Sequence, residues 1–356
     1  MNKNSKNIKH GFWILASLPP LIFAIANALL LIKFTIPPPF ILIKTDYMIN
    51  TLFIPAVLLI VSMYGWIISH RKKSKGWVYR VSTIYFLIAL FLFGLRIYAT
   101  HIEPHWLILR NATITTAKIT KPLRILHISD IQSDTVGKYE IKVFNRIKDQ
   151  QPDLILFTGD LLQPMPPATI QSELPKIAAL FRTLHPPLGI LGVYGNIDYN
   201  IHNIPQDMLG GLKMLEGRGV TLKFGSTQIQ LFGLSYRVSM GGPASRQQAV
   251  NWFNTAPPED ITILMGHRPD FISTVKDLPI DLCLVGHSHG GQIRLPFFGP
   301  LINLYPMLRS LTGAHPEIGH ARINISAGIG CEHIDGMPPL RFYCPPEMTL
   351  IEFSPR

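Results

Sequence analysis

The chain has 356 residues, 33 Lys+Arg against 22 Asp+Glu and a formal net charge of +11. Its length excludes a disulfide-stapled peptide and suits one large domain or two, and 47% hydrophobic with 15% charged residues excludes a disordered chain. A basic excess points to nucleic acid or anionic lipid, but residues 1–100 carry +10 of it and residues 101–356 only +1, which argues against a nucleic-acid-binding face on the larger part.

In chain order, three apolar runs come first: Phe12–Ile32, Met48–Ser69 and Trp77–Ala99. Each is long enough to cross a hydrocarbon core of about 30 Å at roughly 1.5 Å per residue, and none offers water a polar face. The first is the weakest because Pro19 and Pro20 interrupt it. A signal peptide is the alternative there, but the run is too long and lacks a small-residue cleavage site. Lys3, Lys6 and Lys9 precede the first run, and Arg71, Lys72, Lys73, Lys75 and Arg80 surround the start of the third. The loop between the first two runs has Lys33, Lys44 and Asp46 around Pro37, Pro38 and Pro39. Basic residues accumulate on the cytoplasmic side, so three spans put the remaining chain outside. The expected organisation is a transmembrane anchor over 1–100, a connector over 101–121 and a catalytic domain over 122–356, in a multi-pass inner-membrane protein.

After Pro122, short apolar runs alternate with amphipathic stretches. Strands are predicted at Leu123–Ser129, Leu154–Thr158, Gly189–Tyr194, Gln228–Leu234, Ile261–Met265, Leu282–Val285, Arg322–Ala327 and Met348–Phe353. Helices are predicted at Tyr139–Gln150, Glu173–Leu184 and Ala244–Asn254. The alternation implies α/β layering over buried sheets.

Polar residues gather where these strands end. Five groups occur in order: His127, Asp130 and Gln132; Gly159-Asp160; Gly195-Asn196 with Asp198; Gly266-His267; and Gly286-His287 with His289. Any one of them is weak, since an Asp after a strand is more often a helix cap. Together, carboxylates, an amide and three imidazoles are the donors that two neighbouring divalent cations require.

The series resembles the calcineurin-like metallophosphoesterase family, whose pattern runs D-x-H, G-D, G-N-H-D/E, G-H and G-H-x-H. The resemblance spans about residues 123–353. The stretch from Gly286 to Pro296, with Ser326–Gly330 and Pro345–Met348, is similar to membrane-tethered bacterial members. These include cell-envelope phosphatases and a pyrophosphatase of lipid A synthesis that cleaves UDP-diacylglucosamine. The resemblance implies a four-layer α-β-β-α sandwich behind about three transmembrane helices. It implies that Asp130, Gln132 and His289 hold one metal, that Asp160 bridges two, and that Asn196, His267 and His287 complete the second. The metals would polarise phosphoryl oxygens and lower the pKa of a shared water for in-line attack. Asp160, Asn196 and His287 are the expected catalytic set.

Two positions depart from the pattern. Gln132 stands where the family has a His; its neutral, harder oxygen shifts the expected metal preference towards Mn over Mg, Fe or Zn. Ile197 stands where the family has a His that protonates the leaving group. General acid help is worth about 10²–10⁴ in rate, and a phosphate leaving group needs it least. The expected substrate is therefore a phosphoanhydride or an activated phosphodiester, lipid- or nucleotide-linked, in the cell envelope. His202 could replace the missing acid if its loop folds back, but an ordinary loop histidine is the preferred reading. Arg294 could clamp a phosphate or be a solvated edge residue. His127 is expected to be a satisfied core histidine. A Cys331–Cys344 disulfide is open if the domain lies outside the cytoplasm.

The alternatives are a cytoplasmic-face UDP-diacylglucosamine pyrophosphatase and a non-catalytic scaffold with a degenerate site. Expected partners are the lipid bilayer and a phosphate-containing substrate, not nucleic acid.

Overall fold

The computed structural model describes residues 3–32, 45–73, 75–297, 299–300, 317–318, 321–332 and 338–356. Lys33, Lys44 and Pro37–Pro39, used above for topology, lie outside the described residues. The chain divides into two units, Met1–Ile102 and Glu103–Arg356.

The first unit is helical: α1 (Lys3–Ile32), α2 (Ile54–Arg71) and α3 (Trp77–Ile97), with a π-helical turn at Ile49–Phe53 leading into α2. Pro19 and Pro20 lie within α1. Phe12, Ala16, Val61 and Ile68 pack together inside the unit, and Tyr85 donates to the Ala16 carbonyl at 2.8 Å. Ile60, Met63, Leu87 and Phe91 point outward. Helices that are apolar all round suit an apolar surrounding better than water. Among the described residues two helical stretches, Thr45–Arg71 and Trp77–His105, are long and apolar enough to span a bilayer; Gly11–Ile25 is a shorter apolar stretch. That is fewer than the three full-length runs expected, and the shortfall falls on the proline-interrupted one.

The second unit is built on two six-stranded sheets. The first has the order β1 (Ile108–Thr116), β14 (Glu347–Pro355), β2 (Leu123–Ile128), β3 (Leu154–Phe157), β4 (Ile190–Gly192), β5 (Leu212–Met214). The second has the order β12 (Glu317–Ile318), β13 (Ala321–Ile325), β9 (Leu282–Val285), β8 (Ile261–Met265), β7 (Thr227–Gly233), β6 (Arg218–Phe224). A short ribbon, β10 (Arg294–Leu295) with β11 (Gly299–Pro300), stands apart. β2 to β5 are mutually parallel, as are β7, β8, β9 and β13.

Alternate residues of each strand face opposite layers. Leu123, Ile125, Leu154 and Leu156 meet Ile229, Leu231, Ile261, Ile263 and Leu284 between the sheets. Leu126, Ile128, Ile155 and Phe157 face Phe144 and Ile147 of α4 (Lys138–Asp149) and Ile177 and Phe181 of α5 (Ile170–Phe181). On the far side, Leu264, Cys283, Val285 and Ile323 face Ala249 and Phe253 of α6 (Pro243–Phe253). This is the four-layer α-β-β-α sandwich. Burial on both faces explains why the strands read as continuous apolar runs.

The segment 101–121, expected as a connector, carries β1, which pairs in parallel with β14 from Ile108↔Glu347 to Thr116↔Pro355. Glu103, fully buried, accepts the backbone N–H groups of Tyr343 and Cys344. From Glu103 onward the segment therefore belongs to the body of this unit.

Candidate metal centre

The five polar groups follow β2, β3, β4, β8 and β9, so they all emerge at the carboxyl ends of parallel strands, where α/β proteins place their sites. The turns are tight. Asp130, Gln132, Asp160, His287 and His289 all have positive φ, between 39° and 63°. Such backbone costs about 1–3 kcal/mol per residue and concentrates at functional sites. Glycine permits the close approach: a Cβ on Gly195 would strike the Asp160 carboxylate, and one on Gly286 would strike Ser129 and Asp130.

Asp130, Asp160 and His289 bring one ligand atom each to within 4.8 Å of one another, and so do Asp160, His267 and His287. Asp160 belongs to both groups, which is the arrangement of a bridging carboxylate. Its Oδ2 lies 3.3 Å from His267 Nε2, and its Oδ1 accepts the Ile197 N–H at 3.1 Å. His267 Nε2 is 3.0 Å from Asn196 Oδ1 and 3.1 Å from His287 Nδ1. Its Nδ1 lies against the Thr158 carbonyl at 2.7 Å, so the ring is oriented with Nε2 towards the centre. His289 Nε2 is 3.4 Å from Asp130 Oδ1, and its buried Nδ1 has no hydrogen-bond partner among the described residues. Shared carboxylates, converging imidazoles and this unpartnered nitrogen fit a pair of divalent cations.

The electrostatics reflect the crowding. Burial lowers the proton affinity of His267, but the Asp160 and Asp130 carboxylates outweigh it and push the pKa up to about 9. Burial and the His267 charge hold His287 down to about 3. Burial, then Arg341, puts His289 well below its ordinary value. Burial lifts Asp130 to about 7, with His267 opposing and Asp160 assisting.

Behind the centre runs a buried hydrogen-bond chain. Asn324 Nδ2 donates to His127 Nδ1 at 2.8 Å, so Nε2 carries the proton and donates to Thr158 Oγ1 at 2.8 Å. Thr158 donates to Ser129 Oγ at 2.7 Å, and Ser129 donates to Asp130 Oδ2. His127 is thus a satisfied core histidine that also orients Asp130. Asp198 accepts the N–H groups of Asp160, Leu161 and Gly195 at 2.7–2.8 Å and ties two site loops together. Burial and the Asp160 charge raise its pKa to about 6.

The remaining sequence candidates sit apart from these clusters. His202 lies 3.7 Å from Glu216 and its ring packs on Tyr194 with centroids 4.8 Å apart. Arg294 donates back to the Gly290 carbonyl at 3.4 Å. Cys331 and Cys344 are separate buried thiols. Sequence reasoning gave no role to Asp198, Glu332 or Arg341. Asp198 was visible within the Gly195-Asn196 motif; the other two had no local signal.

A family model described as calcineurin-like phosphoesterase matches residues 123–291. The chain is 30% identical over 263 residues, 71% of its length and 87% of the relative's, to the uncharacterized metallophosphoesterase YkuE of Bacillus subtilis (strain 168). The chain belongs to the calcineurin-like phosphoesterase family. It is 25% identical over 313 residues, 72% of this chain and 92% of that one, to the UDP-2,3-diacylglucosamine pyrophosphatase LpxG of Chlamydia trachomatis. It is 23% identical over 273 residues, 72% and 91% of the two chains, to the phosphodiesterase YaeI of Escherichia coli (strain K12). As a member, this calcineurin-like phosphoesterase is a metal-dependent hydrolase of phosphate-containing substrates.

Proposed function

We propose that the protein is a membrane-anchored dimetal phosphohydrolase of phosphoanhydrides or activated phosphodiesters, acting on a lipid- or nucleotide-linked substrate of the cell envelope. Asp130, Gln132 and His289 hold one cation, Asn196, His267 and His287 the other, and Asp160 both. Bound there, the cations polarise the phosphoryl oxygens and acidify a water. The Asn196 amide, 3.0 Å from His267 through its oxygen, keeps its nitrogen for a phosphoryl oxygen. The donor set with a Gln carbonyl and carboxylates favours Mn over Zn.

Ile197 carries the substrate reading. Its backbone N–H is bound to Asp160, which puts residue 197 beside the bridging carboxylate, at the motif position where the family has a histidine, and an isoleucine has no proton to give. A leaving group of low pKa tolerates this and an alkoxide does not. The purified full-length protein in detergent with Mn²⁺ should cleave a nucleotide diphosphate derivative such as ADP-ribose much faster than glycerol phosphate, and Asp160→Asn should cleave neither. Faster cleavage of the alkyl monoester would overturn the reading.

The membrane reading is supported by the two long apolar helices and the outward apolar side chains of the first unit. The Lys and Arg distribution favours a catalytic domain outside the cytoplasm. A cytoplasmic-face pyrophosphatase of UDP-diacylglucosamine is the second reading, favoured by the extent of the match to LpxG. A C-terminal reporter that works only outside the cytoplasm separates the two.

A further inference from the structure

Gln132 is the weak member of the ligand set, and its surroundings contain a residue that no motif of the family covers. The Gln132 amide nitrogen donates to two carboxylates, Asp160 Oδ2 at 3.3 Å and Glu332 Oε2 at 3.2 Å. A primary amide has two N–H hydrogens, one for each of these carboxylates. Asp160 Oδ2 is also the atom that faces His267, which places Gln132 at the centre and Glu332 just behind it.

Glu332 is held in place from both sides of the site. Its backbone N–H donates to Gln292 Oε1 at 2.8 Å, and Gln292 closes the turn that begins at His289. Upstream in the same segment, Gly330 donates its N–H to the Asp130 carbonyl at 2.7 Å. The carboxylate is therefore fixed relative to both the Asp130 and the His289 loops.

Resting on the dimetal reading above, we infer that Glu332 is the positioning residue that makes Gln132 a metal ligand. A cation against Asp160 Oδ2 competes with the Gln132 N–H for that oxygen. Glu332 then remains as the acceptor of the amide nitrogen, and the carbonyl oxygen is the end of the amide left to the centre. Gln132 and Glu332 thus act as one unit, and the unit favours hard, oxygen-preferring cations.

The test is metal binding without substrate. Full-length protein in detergent is stripped with chelator and titrated with Mn²⁺, with free Mn²⁺ read by its EPR signal. Wild type should bind two Mn²⁺. Glu332→Gln should bind one of them about 10–100-fold more weakly, the range for loss of a hydrogen-bond partner to a ligand, and leave the other unchanged. In a Gln132→Ala background Glu332→Gln should have no further effect, because its action passes through Gln132. Gln132→His combined with Glu332→Gln should regain tight binding, with preference moved towards Zn²⁺. Unchanged affinity in Glu332→Gln, or additive losses in the double variant, would overturn the inference while leaving the dimetal reading intact. A wild type that binds no Mn²⁺ would overturn both. The Gln132→Ala comparison keeps the test decisive if either single variant is less stable.

Discussion

Asp198 Oδ2 accepts the backbone N–H of Asp160 at 2.8 Å, so the residue that bridges the two candidate metal positions is held through its main chain by a second carboxylate. The same side chain accepts from Leu161 and Gly195. Asp198→Ala would leave three buried N–H groups without acceptors, each costing about 1–3 kcal/mol. We predict a destabilisation of at least about 3 kcal/mol, which at roughly 2–4 °C per kcal/mol for a unit of this size is readily seen by thermal unfolding. Asp198→Asn retains one acceptor oxygen and should fall between alanine and wild type. Equal melting temperatures for all three would remove Asp198 from the site's framework.

His267 sets a pH dependence. Its pKa of about 9 in the metal-free protein exceeds the unfolded value of about 6.5. Its protonated form therefore adds stability that is full below about pH 6.5 and is lost as pH rises through about 9. His287 and His289 shift the other way, so their contributions change on the acid side of this window. A metal must displace the His267 proton. Mn²⁺ affinity should accordingly rise with pH between 7 and 9, by about tenfold per unit if one proton is released, and the alkaline loss of stability should vanish in the metal-loaded protein. Melting temperatures across this range, with and without chelator, give the comparison. A pH-independent affinity would contradict it.

Ile197→His should restore proton donation. The backbone there is already anchored beside Asp160. Hydrolysis of glycerol phosphate should rise by about 10²–10⁴, whereas the diphosphate substrate should change little. A parallel rise for both would mean that position 197 affects binding and not leaving-group protonation.

The legible parts of the molecule were those with local signals. All eight predicted strands are present within a few residues, because sheets covered on both faces make unbroken apolar runs. β1, β5, β6, β10, β11 and β12 were missed: β5 spans three residues, β10, β11 and β12 span two each, and β1 and β6 are edge strands with half-exposed, mixed sequences such as Leu-Arg-Asn-Ala-Thr. The ligand motifs were readable because each spans a few residues at one strand end. Glu332 was not, since it meets Gln132 across 200 residues of chain and neither neighbourhood hints at the other. The His127 chain was half visible. Its place in the core was expected, but Asn324 comes from β13 in the other sheet.

Arg341 is the largest such omission. It is fully buried, and its guanidinium donates to the carbonyls of Ala327 at 2.7 Å, Gly328 at 3.3 Å, Cys344 at 2.9 Å and Gly330. Three of these carbonyls, Ala327, Gly328 and Gly330, belong to the segment whose Gly330 N–H holds Asp130, so the cation braces the loop behind the first metal position. A guanidinium presents five donors in a fixed planar fork, whereas an ammonium presents three from a single nitrogen. Arg341→Met should take this donor from the Ala327, Gly330 and Cys344 carbonyls, while Gly328 keeps the Glu347 N–H, and cost about 3 kcal/mol or more at about 1–3 kcal/mol per buried group. Arg341→Lys should recover part of that stability but not the geometry. Because Arg341 also helps to keep His289 unprotonated, Arg341→Met should need higher pH than wild type to bind its first Mn²⁺. Titrations at pH 6 and pH 8 test this: a brace with no electrostatic role would weaken binding equally at both, whereas the charge effect predicts a larger deficit at pH 6, with the methionine variant losing more affinity on acidification than wild type.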